Sequence, residues 1–265
     1  MEKVVLLNNW KHIKDKLSGM GRIYFGSEFC DYILPSPKDV DRLIKMRKDT
    51  NIAFSIVTPY LNQRRLTQLT KLLIFINVHT PEIEVIVNDW GVLHMLYTRF
   101  PRLQAVLGRV LSRQKRGPFV KVRSEFVQIE KLGLKKTDQI YLKSSILQND
   151  HIVRLAKEYK IKRIGLDNTR QGIIFENKGF SIDLYYPYIY ITTSNYCMTE
   201  MIERKRELFV KTDACRRFCF NSGLNKIKIG EEWVYLFGNT QFYPNDTTSM
   251  RGIPKYVNRL IKVSF

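Results

Sequence analysis

The residues with the clearest chemical potential are the cysteines. The 265-residue chain has four, and three of them, Cys197, Cys215 and Cys219, lie within 23 positions, whereas Cys30 lies far upstream. Four thiols are the ligand set of a structural zinc site or of an iron–sulfur cluster. The alternative is four unrelated buried cysteines, because free cysteine is among the most buried residue types. A Cys-x3-Cys pair is less diagnostic than repeated Cys-x2-Cys, so the spacing leaves these interpretations open.

The composition is that of a globular chain, with 44% hydrophobic and 12% aromatic residues. No apolar run reaches the roughly 18 residues that a membrane helix needs. The first nine residues lack the basic segment and the cleavage site of a signal peptide. We therefore expect a cytoplasmic protein, in which thiols stay reduced and either bind metal or remain free.

The charge balance is strongly basic, with a formal net charge of +19. This charge favours an anionic partner: a nucleic acid, an anionic small substrate or an acidic protein. The alternative is that the positive charges are spread over solvated helix faces. The run from Arg109 to Arg123 contains six basic residues and no acidic one. We expect an anion-binding loop there, with a solvated loop as the alternative.

Apolar runs typical of buried strands alternate with helical patterns along most of the chain. The predicted strands cover residues 4–7, 22–25, 52–57, 84–87, 103–107 and 163–166, and β-rich segments follow at 181–185, 188–191 and 232–237. Ser36-Pro37 provides an N-cap and a proline at the first helical position, and we expect Asn62 and Asp150 to cap further helices. Strands without a polar face are typical of a parallel sheet covered by helices.

Six or more strand–helix units, with no internal repeat or linker, predict one α/β domain over residues 1–265. The predicted architecture is a TIM-barrel-like (β/α) barrel with a late cysteine-bearing segment at 193–220. The pattern leaves the last one or two barrel strands undetermined, so the closure is expected to be irregular. An open doubly wound sheet is the alternative.

In either fold, ligands bind where the carboxyl ends of the strands meet the following loops. Cys30 and Cys197 both follow predicted strands, so we expect the four cysteines to meet at this rim although 166 residues separate Cys30 from Cys197. The sequence identifies no catalytic residue, and the candidates at the rim are Glu28, Asp89 and Asp167. Helix capping is the simpler role for the two aspartates. The predicted substrate-binding residues are Tyr60, Asn88, Arg109, Lys115, Arg116 and Asn168.

Several familiar catalytic patterns are absent from the sequence. The four histidines show no metal-ligand spacing, and there is no Gly-x-Gly-x-x-Gly, phosphate-binding Gly-x4-Gly-Lys or His-Glu-x2-His. No Ser–His–Asp arrangement can be identified, and a cysteine nucleophile would need a neighbouring histidine that the sequence does not point to. A peptidase is therefore disfavoured.

Six segments resemble the collagenase-like peptidase family U-32. They are Val85–Gly91, Gly108–Arg116, Leu166–Asn168, Tyr190–Thr193 before Cys197, the Cys215-x3-Cys219 pair and Gly238–Thr240. The likeness runs from about Gly21 to Tyr243. Within the family, the chain is most similar to the UbiV-like proteins of oxygen-independent ubiquinone biosynthesis.

The resemblance implies a TIM-barrel-like domain in which Cys30, Cys197, Cys215 and Cys219 bind a 4Fe–4S cluster. It also implies a homologous U-32 partner, UbiU-like, and a role in hydroxylation that does not use molecular oxygen. Other family members hydroxylate RNA bases, which makes RNA, or another anionic substrate, the second expectation. The peptidase label of the family is historical. The resemblance therefore favours iron–sulfur over zinc.

Overall fold

The computed structural model describes residues 1–11, 13–115, 121–122, 125–126, 132–176, 178–203, 215–229, 232–245 and 256–265. In chain order, its helices and strands are β1 (Glu2–Leu7), α1 (Ile13–Lys16), β2 (Arg22–Gly26), α2 (Pro37–Thr50), β3 (Ala53–Thr58), α3 (Leu66–His79), β4 (Glu84–Val87), α4 (Trp90–Arg99), β5 (Gln104–Leu107), α5 (Arg109–Ser112), β6 (Lys121–Val122), β7 (Glu125–Phe126), α6 (Lys136–Lys143), α7 (Asp150–Glu158), β8 (Arg163–Asp167), β9 (Ser181–Tyr186), β10 (Tyr188–Thr193), α8 (Met198–Glu203), α9 (Phe218–Ser222), β11 (Asn225–Ile229), β12 (Glu232–Phe237), β13 (Thr240–Pro244) and β14 (Val257–Val263).

Eight parallel strands form a closed barrel in the order β1, β2, β3, β4, β5, β8, β9, β14 and back to β1. This confirms the predicted TIM-barrel-like fold and excludes the open doubly wound sheet. The strand that closes the barrel is β14, near the end of the chain, which pairs with both β1 and β9. The least regular seam joins β5 to β8 through a single pair, Leu107 with Ile164. A long insertion separates these two strands in the sequence.

The predicted strand at 188–191 does not belong to the barrel. It forms β10 of a separate four-stranded antiparallel sheet in the order β10-β13-β12-β11, which we call the cap sheet. Phe29, in the loop after β2, packs against Tyr190 and Phe242 of the cap sheet with ring centroids 4.9 and 5.7 Å apart. The cap sheet therefore lies over the carboxyl ends of the barrel strands.

The helix starts show which local signals were sufficient. Ser36 is the N-cap of α2, as predicted, and it also forms a capping box with Asp39. The prediction for Asn62 was wrong, because Asn62 precedes a short 3-10 turn and its side chain donates to Asp31 at 2.9 Å. Asn149 caps α7, and Asp150 is the first helical residue rather than the cap. None of the described helices combines the length and apolar character needed to cross a membrane.

An ion-pair network joins the amino ends of the barrel strands. Arg259 on β14 donates to Glu84 on β4 at 2.7 Å, and Arg163 on β8 donates to Asp183 on β9 at 2.8 Å. Tyr24 on β2 donates to Asp183 and accepts from Arg259 at 2.9 Å. Burial raises the pKa of Asp183, and the two arginines oppose that rise. This network fastens the end of the barrel opposite the cap sheet.

We expect Gly26→Ala to destabilise the barrel more than Gly172→Ala. Both glycines have positive φ, +133° and +82°, so either substitution introduces backbone strain. A Cβ at Gly26 would also lie 2.2 Å from the main-chain oxygen of Val57, whereas nothing lies within 4 Å of one at Gly172. The steric overlap should add about 1–3 kcal/mol to the loss in free energy of unfolding, measured by urea denaturation. Equal losses in the two variants would contradict the close approach of β2 to β3.

Candidate metal centre at the carboxyl rim

Three separate segments bring the four cysteines to the rim under the cap sheet. Cys30 follows β2, Cys197 follows β10, Cys215 precedes α9 and Cys219 lies within α9. All four line one cavity of about 510 Å³. The topology explains why Cys30 lies near Cys197. The barrel strand β2 ends at the carboxyl rim, and the cap-sheet strand β10 ends above the same rim.

Two of the thiols accept a main-chain N–H. Glu200 N lies 3.4 Å from Cys197 Sγ, and Arg217 N lies 3.3 Å from Cys215 Sγ. Nearby main-chain N–H groups also act to lower the pKa of Cys30 and of Cys219. Such N–H donors favour the thiolate over the thiol. They also tune the reduction potential of metal–sulfur centres.

Burial works in the opposite direction on three of the thiols. It raises the pKa of Cys30, Cys197 and Cys219, that of Cys219 to about 12, and the neighbouring cysteines raise these values further. Like-charge repulsion of this kind is removed when a cation binds between the thiolates. In the metal-free protein these three thiols therefore carry protons at neutral pH.

The donor set fits a thiophilic metal centre. Four cysteines line the cavity, and sulfur ligands select zinc, copper(I) or iron–sulfur clusters. Among the described residues, no three His, Cys, Asp or Glu side chains already stand in a metal-ligand arrangement. The thiols thus border a shared space of about 510 Å³ rather than converging on one point.

The rest of the cavity wall is polar and aromatic. Tyr60, which we predicted to bind substrate, lines it and is half exposed. Several lining residues were not predicted from the sequence, namely Tyr32, Arg64, Arg65 and Glu200. The first three follow β2 and β3, so the strand-end rule pointed to their positions. Glu200 lies on α8, for which the sequence offered no comparable signal.

Arg109 is the largest fully buried side chain of the rim, and its guanidinium lies between two carboxylates. Arg109 Nη2 lies 2.6 Å from Glu28 Oε2, and Nη1 lies 2.7 Å from Asp167 Oδ1. Nη1 also donates to the main-chain oxygen of Tyr188 at 3.0 Å, and the Tyr185 ring lies 4.5 Å from the guanidinium carbon. Burial alone would lower the pKa of Arg109, but Glu28 and Asp167 hold it above its ordinary value.

This arrangement changes the roles expected for three residues. Arg109 is 1% exposed and its charge is neutralised, so it does not present a cation to a substrate. Glu28 and Asp167 are ion-paired with Arg109 and equally buried, which fits a structural role better than acid–base catalysis. The three side chains join the loop after β2, the start of α5, the end of β8 and the start of the cap sheet. Glu28 is two residues from Cys30, so this bonding fixes the loop that carries the first thiol.

The side chains of Asp89 and Asn88 form hydrogen bonds with main-chain groups. Asp89 Oδ1 accepts from the main-chain N–H groups of Gly91 and Val92 at 2.7 and 3.1 Å, which makes Asp89 the N-cap of α4. Asn88 is buried, donates to the main-chain oxygen of Thr58 at 3.0 Å and accepts from Val110 N at 3.3 Å. Its amide group joins neighbouring strand ends. Because the side chain is buried, it is not available to bind a substrate.

Two further predicted substrate-binding residues, Lys115 and Asn168, lie apart from the cysteine cavity. Lys115 is exposed, with its Nζ 4.5 Å from the centre of the Tyr141 ring. The main-chain oxygen of Asn168 accepts from Asn245 Nδ2 at 2.6 Å. Arg116 lies outside the described residues. Neither Lys115 nor Asn168 lines the cavity of the four thiols.

Comparisons with known proteins identified no relative of this chain. No family model matches the chain, and neither curated proteins nor solved structures gave a match. The likeness to family U-32 therefore depends on the sequence segments alone.

We expect Arg109→Met to release the Cys30 loop. The substitution leaves two buried carboxylates without their cation, which should cost about 3–5 kcal/mol of unfolding free energy. Native-state alkylation of Cys30 by iodoacetamide, followed by peptide mass spectrometry, should become faster than in the wild type. Arg259→Met is the matched control, because it breaks the network at the opposite end of the barrel. Equal Cys30 reactivity in the two variants would show that Arg109 stabilises the fold without positioning the loop.

Metal binding should strengthen as pH rises from about 6 to 8. Burial raises the thiol pKa values, so binding must displace thiol protons, and a higher pH lowers the cost of that displacement. Anaerobic Co²⁺ titration, followed through the sulfur-to-metal absorption band, measures the apparent affinity. Each displaced proton adds about one logarithmic unit of affinity per pH unit. The Cys219→Ser variant should show a shallower slope, and a pH-independent affinity in the wild type would rule out thiolate ligation.

Proposed function

We propose that Cys30, Cys197, Cys215 and Cys219 hold a 4Fe–4S cluster. The observation that carries the proposal is the shared cavity, which three separate chain segments line with four thiols, two of which accept a main-chain N–H. When bound, such a cluster supplies one-electron transfer at a potential set by its surroundings. Zinc remains the alternative metal, since it also accepts four cysteine ligands.

The chain itself holds and shields the centre. Arg109 and Glu28 fix the loop of Cys30, and the cap sheet covers the rim from above. The outer wall of the cavity carries Tyr32, Tyr60 and Arg65, with the Arg65 guanidinium 4.3 Å from the centre of the Tyr32 ring. A substrate that approaches the thiols from this side meets aromatic and cationic groups first.

The wider role that we propose is a component of oxygen-independent hydroxylation, as in the UbiV-like members of family U-32. Support comes from the segments that resemble the family and from the barrel fold. The same likeness suggests a homologous, UbiU-like partner and a cytoplasmic location. A reducing compartment would keep the four thiols available for metal.

Two other functions receive less support. The prediction of RNA-base hydroxylation depended on phosphate binding by the basic loop that begins at Arg109. Arg109 is buried and ion-paired, so it is not available to phosphates. A cysteine peptidase needs a base beside its nucleophile, and no histidine is among the described residues that line the cavity.

Anaerobically purified protein should be brown and contain about four irons and four sulfides per chain. Cys30→Ala should lose most of the iron, because it removes one of four ligands. Asn195→Ala, which alters the same cavity wall without removing a thiol, should retain it. A colourless wild-type protein with one zinc per chain would overturn the iron–sulfur proposal, and iron retained by Cys30→Ala would exclude Cys30 as a ligand.

A further inference from the structure

A second, smaller cavity adjoins the larger one at Cys219. It has a volume of about 180 Å³, and Lys11, Lys16, Phe220, Phe265 and Cys219 are among its lining residues. Cys219 lines this cavity as well as the larger one. The Cys219 side chain therefore forms part of the wall between the proposed metal centre and this side of the surface.

Basic side chains lie in and beside the smaller cavity. Lys11 and Lys16 line it, and Lys262 on β14 lies close enough to Lys16 to lower its pKa. Arg217 lies beside Phe220, 5.7 Å from its ring centre, and its Nη2 donates to the main-chain oxygen of Tyr32 at 3.5 Å. We call these four side chains the basic face. They come from three parts of the chain that are far apart in sequence, so only the fold assembles them.

Acidic side chains in the described part of the chain do not neutralise the positive charge of the basic face. Among the residues that the structure describes, none of the four cations forms a salt bridge with an acidic side chain. Lys16 Nζ lies 3.2 Å from the main-chain oxygen of Phe265. Burial lowers the pKa of Lys16, and repulsion from Lys262 lowers it further. The acidic side chain adjacent in sequence is the exposed Asp15.

The shape of the basic face favours contact across a surface. A space of 180 Å³ is below the range of about 300–1,000 Å³ that is usual for small-molecule sites. The aromatic rings are packed on one another, with Phe237 and Phe265 centroids 4.6 Å apart, rather than displayed for stacking on bases. The face thus presents charge to a partner without the stacking platform that single-stranded nucleic acids use.

We propose that the basic face docks an acidic electron-carrier protein beside Cys219. Complexes of this class have small interfaces and depend on complementary charge for fast, reversible encounter. One electron would pass from the reduced carrier, which is thereby oxidised, to the metal centre, which is reduced. The electron-transfer part depends on the proposed metal centre, whereas the docking part depends only on the face.

The docking test uses an oxidised flavodoxin as the acidic carrier and isothermal titration calorimetry at low ionic strength. Lys11→Glu/Lys262→Glu reverses two exposed charges of the basic face. Lys48→Glu/Lys71→Glu is the matched control, with the same change in net charge on the exposed sides of α2 and α3. We expect the first variant to bind at least about tenfold more weakly and the control to change by less than about threefold. Binding by the wild type should weaken as salt is added.

Equal weakening in the two variants, or no binding by the wild type, would overturn the docking proposal. Total tRNA that binds the wild type and loses affinity only in the basic-face variant would assign the face to nucleic acid instead. In iron-loaded protein, stopped-flow reduction by photoreduced flavodoxin should slow with the basic-face variant, whereas dithionite should still reduce the centre. Wild-type protein that contains no iron would contradict the proposed metal centre, and the calorimetry would still decide whether the face docks the carrier.

Discussion

The structure of the rim depends on one buried cation. The Arg109 guanidinium bonds to Glu28 and Asp167 at 2.6 and 2.7 Å, and a charge so far from water is tolerable only when it is fully paired. Its partners lie after β2 and at the end of β8, and it also reaches the main chain at the start of the cap sheet. One side chain therefore fixes where the barrel, the Cys30 loop and the cap sheet meet. Because removing any partner would leave an unpaired buried charge, this junction tolerates little displacement.

The two ends of the barrel use similar chemistry for different purposes. At the amino ends, Arg259 and Arg163 bind carboxylates on neighbouring strands and close the bottom of the barrel. At the carboxyl ends, Arg109 binds carboxylates whose loops lead directly to the thiols. Rigid support around a site reduces the reorganisation needed when a ligand binds there. The ion pairs of Arg109 with Glu28 and Asp167 therefore lie where they can determine how closely Cys30 approaches the other cysteines.

Two opposing influences act on the thiols. Burial raises the pKa of Cys30, Cys197 and Cys219 and favours their protonated forms, whereas main-chain N–H groups favour the thiolates. A bound cation reverses this balance, because it stabilises all the thiolates at once. The cavity is therefore better suited to a metal centre than to four independent thiols. The basic face adds positive charge beside Cys219, next to the proposed metal centre.

The sequence alone determined a parallel α/β fold and favoured a barrel over an open doubly wound sheet, because alternating apolar strands and amphipathic helices can bury their faces in few ways. It also identified the four cysteines and the rim, since parallel strands end at one side of a barrel. The sequence did not determine that β10 leaves the barrel or that β14 closes it, because strand pairing over such separations is a tertiary choice. Nor could it show that Arg109 is buried: a basic residue in a basic run resembles a solvated one until the fold places Glu28 and Asp167 beside it. The basic face likewise exists only because the fold brings Lys11, Lys262 and Arg217 near Cys219.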